Sequence, residues 1–236
     1  MHEEARKRSV DNLQRVYTVV ISLAIAESLR RLLSEFGDYG KLPSFASVLA
    51  VISLIITIVP FYHGANRYLD STYVTGERSA KPGALMLDFI AIFGEGLVFF
   101  VLSLLIKSTV IFFTLLAALF IFDSFWVWLT KLTSNSEVDK GMEYKTWAIA
   151  NIVSALFLLI SFWSNLFQWN FWPSPTIQVV AASIAVLVRT IFDYGTVWNF
   201  YYPPPSDEKY IMPVPRPAIP ESKATTSKQR TNQSRH

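Results

Sequence analysis

Ionisable side chains inside long apolar segments are the most informative chemical feature of this sequence. Five acids and one base interrupt such segments: Glu27, Asp88, Glu95, Asp123, Asp193 and Arg189. An ionised side chain at the centre of a lipid-immersed helix costs roughly 2.5 to 3.5 kcal/mol. Each group therefore needs a partner, a proton, water or a bound cation, and groups with these needs are typical of ion and proton pathways.

The third apolar segment carries two of these acids on one face. Asp88 and Glu95 are seven residues apart, which places them within about 20° of each other around a helix. Gly94 and Gly96 flank Glu95. Glycines in a membrane helix permit the close approach of a neighbouring helix or a local bend. We therefore expect this helix to be packed against partners.

Two further segments carry polar groups at helical spacing. Arg189 and Asp193 are four residues apart, the spacing at which an ion pair forms within one helix. Asn151, Ser154 and Ser161 share one face of the preceding segment. A polar stripe of this kind packs against other helices or lines water, and it does not face lipid.

The acids of different segments fall at similar depths. At 1.5 Å per residue, five polar groups lie about 6 to 17 Å inside one end of the predicted helices: Asp88, Asp123, Asn151, Arg189 and Asp193. Glu95 lies near the middle. The predicted ion pathway or buried polar network comprises Asp88, Glu95, Asp123, Asn151, Arg189 and Asp193, with Glu27, His63, Ser154 and Ser161 as secondary candidates.

The composition indicates a membrane location for these segments. Of 236 residues, 52% are hydrophobic and only 17% are charged, against roughly 25% charged in a soluble domain. A membrane helix needs about 20 mostly apolar residues. Five clear runs meet this length and a sixth is marginal, so the prediction is an all-α bundle of six transmembrane helices at residues 16–36, 43–62, 84–106, 109–130, 147–168 and 176–200.

The first segment is the marginal one. Its uninterrupted apolar part is eleven residues long and ends at Glu27, which Arg30 and Arg31 follow. It can cross only if Glu27 pairs with one of these arginines at the three- or four-residue spacing that meets on one helix face. The alternative is a helix that lies in the membrane interface.

The domain prediction is a cytoplasmic segment at 1–14, a transmembrane domain at 15–201 and a disordered, proline-rich cytoplasmic tail at 202–236. Sixteen of the 21 Lys and Arg residues fall on one side of this topology. Because basic residues favour the cytoplasmic side, both termini are expected to lie inside. The small size and the lack of targeting extensions favour a bacterial inner membrane.

Several classes of function are not expected. The sequence has no cysteine, and its three histidines are far apart. It also lacks the glycine-rich loops of nucleotide-binding proteins and the serine elbow of hydrolases. A net charge of +3 gives no basic face for nucleic acid. We therefore predict no enzyme activity, no catalytic residue, no cofactor, no metal site and no nucleic-acid partner.

The preferred function is a small oligomeric channel or ion-conducting subunit, in which an acid-lined cytoplasmic vestibule takes cations or protons. The first alternative is a membrane-embedded effector or scaffold controlled by a cytoplasmic protein that binds the loops or tail. The second is an ion-coupled transporter of small molecules. In each case the expected partners are the lipid bilayer and further copies of the chain. A buried network that only holds the helices in register is the structural alternative.

Overall fold

The computed structural model describes residues 2–40, 42–75, 83–133, 144–164 and 172–202, and these residues form helices without a β-strand. The predicted tail, apart from residue 202, lies outside the described residues. The helices are α1 (His2–Tyr39), α2 (Phe45–Leu69), α3 (Ala84–Leu104), α4 (Thr109–Thr133), α5 (Tyr144–Trp163), α6 (Pro175–Thr196) and α7 (Trp198–Tyr201); a π-helical turn, Asp70–Val74, continues α2.

Local sequence signals account for where two of the helices begin. The Ser44 hydroxyl accepts a hydrogen bond from the backbone N–H of Ser47 at the start of α2. Ser174 does the same for Ile177 at the start of α6. These serines satisfy backbone donors that have no partner within the helix. Pro175 then occupies the first helical position, where no N–H is needed.

Five segments are long and apolar enough to cross a membrane: Phe45–Val74, Ala84–Leu104, Thr109–Thr130, Lys145–Trp163 and Pro175–Thr196. The all-α membrane bundle is thereby confirmed, but the number of such segments among the described residues is five rather than the predicted six. The helix α1 is 38 residues long, yet it does not qualify. Its apolar run is interrupted by charges after only eleven residues, about half of what a crossing requires.

The first helix nevertheless runs alongside α2 and α3. Near one end, the Gln14 amide donates a hydrogen bond of 3.1 Å to the Asp70 carboxylate. Further along, Arg31 Nη1 donates to the carbonyl of Leu104, the last residue of α3, at 3.2 Å. The Glu27 carboxylate accepts from Arg31 Nε at 2.6 Å and from Arg30 Nε at 2.7 Å. The pairing expected for Glu27 is therefore present.

The helix α2 is the centre of the described bundle, with α1, α3, α4, α6 and α7 packed around it. It runs parallel to α6: the Ser53 hydroxyl donates to Ser183 at 3.0 Å, and Arg67 Nε donates to the Phe200 carbonyl at 3.1 Å. The helices α2, α4 and α6 finish at the same end, where α7 packs against α2 and α6. We call this the α7 end.

One glycine of α3 brings α1 close. A Cβ atom on Gly96 would lie 3.2 Å from Val20 Cγ1 and 3.3 Å from the Tyr17 ring, whereas one on Gly94 would meet nothing within 4 Å. The expected close approach of a neighbouring helix thus occurs at Gly96 and not at Gly94. Tyr17 is almost fully buried in this contact.

Replacement of Gly96 by leucine should therefore force α1 away from α3. Both Gly96→Leu and Gly94→Leu gain the same helix propensity, so their difference reports the steric conflict. We expect Gly96→Leu to be less stable than Gly94→Leu by about 1 to 3 kcal/mol, the usual cost of overpacking. Denaturant unfolding in detergent micelles measures this difference in the free energy of unfolding. Equal stability of the two variants would show that this contact does not constrain the fold.

Candidate functional site

A continuous hydrogen-bonded chain of polar side chains connects α4, α5 and α6. Asn151 Nδ2 donates to Asp123 Oδ2 at 2.6 Å, and Arg189 Nε donates to Asn151 Oδ1 at 2.7 Å. All three side chains are buried. Because the amide of Asn151 donates on one side and accepts on the other, it joins a carboxylate to a guanidinium with both of its polar atoms in use.

The guanidinium of Arg189 makes further contacts besides its hydrogen bond to Asn151. Its Nη1 lies 3.3 Å from Asp193 Oδ2, so the ion pair expected from their spacing is present. Both Nη atoms lack an aligned hydrogen bond among the described residues. The guanidinium carbon lies 5.2 Å from the centre of the Phe61 ring and 5.1 Å from that of Phe120. Cation–π attraction of this kind is strongest where water is excluded.

Asp193 connects the chain to α7. The Tyr201 hydroxyl donates to both of its carboxylate oxygens, at 3.2 and 3.3 Å. Tyr201 also stacks on His63 of α2, with ring centres 4.7 Å apart. The secondary candidate His63 thus lies at the α7 end, and its stacking on Tyr201 connects it to Asp193.

Two carboxyl groups face each other across α3 and α4. The carboxyl groups of Glu95 and Asp123 lie close enough to interact with one another, and the two residues are only 4% and 3% exposed. An ionised carboxylate is solely an acceptor, so a hydrogen bond between two carboxyls requires a proton on one of them. We define the acid network as Glu95, Asp123, Asn151, Arg189 and Asp193.

Asp88 makes no hydrogen bond to the acid network among the described residues. Its buried carboxylate accepts hydrogen bonds from the Tyr68 hydroxyl, 3.2 Å from Oδ2, and from the Tyr73 hydroxyl. Tyr73 lies in the π-helical turn after α2. The structure therefore brings five of the six principal candidates together and places Asp88 in a second cluster nearer the α7 end.

A small cavity lies between these two clusters. Its volume is about 40 Å³, and its walls include Glu95, Asp123, Tyr68, Trp147 and Tyr201. A buried water requires at least about 10 to 15 Å³ of such space and two or more polar partners. The cavity is thus large enough for two or three waters, and it offers carboxyl and hydroxyl groups to bind them.

The remaining secondary candidates lie elsewhere. Glu27 is bound to its two arginines on α1. Ser154 lines an apolar groove between α5 and α6, and its hydroxyl makes no hydrogen bond among the described residues. The backbone carbonyl of Ser161 accepts a hydrogen bond of 2.5 Å from Gln178 Nε2. The three polar residues of α5 therefore have different surroundings. Of Asn151, Ser154 and Ser161, only Asn151 belongs to the acid network.

The sequence patterns missed every aromatic member of the site. Tyr68 is twenty residues from Asp88 along the chain, and Phe61 is far from Arg189. Neither pair shares a helix, so no helical spacing could have indicated it. The one available signal was general: a buried carboxylate or guanidinium needs partners, and hydroxyls and rings of other helices can supply them.

Comparison with known proteins finds no relative: no protein-family model, no curated protein and no solved structure matches the chain. In the described part of the chain, no group of three or more His, Asp or Glu side chains is placed to hold a metal ion. The fold and the buried groups thus define the class, a helical membrane protein with a buried acid network.

Loss of the Asn151 amide should destabilise the bundle. The variant Asn151→Leu is similar in size but leaves Asp123 and Arg189 without their shared partner. Because buried charged groups are then incompletely paired, we expect a loss of about 2 to 4 kcal/mol in the free energy of unfolding. Ser154→Ala, three residues away on α5, should change it little. The prediction fails if the two variants unfold alike in detergent.

Proposed function

We propose that this protein conducts protons across the membrane through its acid network. The observation that carries the proposal is the buried contact between the Glu95 and Asp123 carboxyl groups. A hydrogen bond between two carboxyl groups needs a proton on one of them, and a pair of this kind binds and releases its protons as one unit. A buried group that exchanges a proton is the basic requirement of a proton pathway.

The charge balance of the acid network supports the same function. Three carboxyls, of Glu95, Asp123 and Asp193, surround the single guanidinium of Arg189. The network is electrically neutral when two of the three carboxyls carry protons. Because net charge is costly in a low-dielectric interior, bound protons are part of the stable structure, and their number can change by one without breaking the helix contacts.

The size of the cavity favours protons over metal cations. A cavity of about 40 Å³ accommodates two or three waters, which can relay a proton. A metal cation instead needs several oxygen ligands around it to replace its hydration shell. The sequence predicted a vestibule for cations or protons. Of these two kinds of ion, the proposal therefore names protons.

The proposal includes an orientation and an assembly. The α7 end faces the cytoplasm of a bacterial cell, because the basic residues are concentrated on that side. Copies of the chain associate in the inner membrane, and each copy carries its own acid network, so the proton path runs within one chain and not along the axis between copies.

A second candidate function is a membrane-embedded scaffold or effector that conducts nothing at rest. One observation favours it: Arg189 is held by Asn151, Asp193 and two aromatic rings. Such extensive contacts suit a rigid support whose loops or tail bind a cytoplasmic protein. This role predicts a stable bundle without proton flux. The flux assay described below therefore distinguishes a scaffold or effector from a proton conductor.

In liposomes with a pH gradient and an internal pH indicator, the wild-type protein should dissipate the gradient. The variant Glu95→Gln retains the shape of the side chain but cannot exchange a proton. We expect its proton flux to be lower on the order of 100-fold, the typical contribution of a positioned proton-transfer group. The matched control is Glu27→Gln, whose carboxylate lies on α1 outside the acid network.

The flux of Glu27→Gln should equal that of the wild type. Wild-type liposomes that hold their gradient as well as empty liposomes would overturn the proposal and favour the scaffold. A Glu95→Gln variant with wild-type flux would show that protons cross by another route.

A further inference from the structure

Two clusters of buried carboxyl groups lie along α3 without direct contact. Asp88 and Glu95 are seven residues apart, a rise of about 10 Å along a helix. Direct proton transfer requires hydrogen-bond reach, about 2.6 to 3.2 Å between heavy atoms or one intervening water. A proton on the Glu95 and Asp123 pair therefore cannot reach Asp88 without an intermediate group.

Tyr68 is bound to Asp88 and also lines the cavity beside Glu95 and Asp123. Its hydroxyl lies 3.2 Å from Asp88 Oδ2 and 3.4 Å from Oδ1. The same residue lines the cavity whose walls also include Glu95 and Asp123. The second hydroxyl bound to Asp88, that of Tyr73, is not part of this cavity wall among the described residues. Of the two tyrosines, Tyr68 is the one placed between the two sets of carboxyl groups.

Asp88 in turn lies near the start of α3, at the α7 end, although it is only 1% exposed. It is four residues from Ala84, the first residue of α3, which corresponds to about 6 Å of helix. Its tyrosine partners lie in the last turn of α2 and in the π-helical turn that follows. The chain leaves the apolar interior in these segments, at the α7 end.

We propose that Tyr68 relays protons between the Glu95 and Asp123 pair and Asp88, and that Asp88 exchanges them with water at the α7 end. This inference rests on the function proposed above and specifies its route. It assigns a role in proton transfer to a tyrosine and places the opening of the path beside Asp88, away from His63 and Tyr201.

The relay conserves protons at every step. The Tyr68 hydroxyl passes its proton to the Asp88 carboxylate while its oxygen takes a proton from a water in the cavity. That water takes the proton held between Glu95 and Asp123. The net result is one proton moved from the pair to Asp88, with Tyr68 and the water restored. The reverse sequence carries a proton inward from Asp88.

The test is the proton flux of Tyr68→Phe in the liposome assay. This variant keeps the aromatic ring but lacks the hydroxyl, so we expect a flux lower by at least about tenfold, because the positioned transfer group is missing. The matched control is Tyr62→Phe on the same helix. The Tyr62 hydroxyl contacts Thr18 Oγ1 at 3.0 Å on the exposed side, and its removal should leave the flux unchanged.

Two measurements separate a relay from a structural effect. The ratio of fluxes in H₂O and D₂O should change in Tyr68→Phe, because proton transfer across the missing hydroxyl becomes the slow step. A lower flux with an unchanged ratio means only less active protein, and it would overturn the relay. In addition, the double variant Tyr68→Phe with Asp88→Asn should be no slower than the slower single variant, since both residues act in series.

The outcomes distinguish this inference from the function on which it rests. If the wild type conducts and Glu95→Gln abolishes conduction, but Tyr68→Phe conducts like the wild type, then the relay is wrong and the proposed function stands. If the wild type does not conduct, the proposed function itself is wrong. Additive losses in the double variant would also overturn the relay, because they indicate two independent routes.

Discussion

The structure depends on the compensation of one buried cation. Arg189 lies in an apolar interior where an isolated charge is strongly unfavourable. The compensation comes from Asn151 of α5, from Asp193 of its own helix and from the rings of Phe61 and Phe120 on α2 and α4. Four helices must therefore hold fixed positions around a single guanidinium. The contacts of Arg189 thus fix the register of these helices relative to one another.

The surplus of acid around this cation connects stability to chemistry. If the network contained one carboxylate for one guanidinium, it would be a closed ion pair with no reason to bind protons. Two further carboxyl groups, those of Glu95 and Asp123, instead lie close together, beside a cavity of water size, and in the proposed function they share a proton. The same low dielectric that makes the extra charges costly thus favours bound protons at this place and supports the proposed conduction.

The tyrosines at the α7 end give the acids different surroundings. Tyr201 donates to Asp193 and contacts His63, whereas Tyr68 and Tyr73 donate to Asp88. The buried carboxyl groups of Asp193 and Asp88 are thus both bound by phenolic hydroxyls of other elements. Such hydroxyls both donate and accept. They can hold an ionised carboxylate in place and, where water reaches them, pass a proton onward.

Features that depend on neighbours along the chain could be predicted from the order of the residues alone. Lengths of apolar run located the five spanning helices, and spacings of three and four residues indicated the pairs of Glu27 with its arginines and of Arg189 with Asp193. Similar depth along several helices also indicated that acids would meet. These features follow from the rise and turn of one helix.

Contacts between groups on different helices could not be predicted in this way, and they come from the packing of the bundle. The tertiary structure joined Asn151 to Asp123, placed Tyr68 beside Asp88 and brought α1 against Gly96 but not Gly94. It also showed that α1 lies beside the bundle although its apolar run is too short to count as a span. The physical reason is that the rotation and tilt of each helix are set by the packing of all of them together, and no spacing along a single helix contains that information.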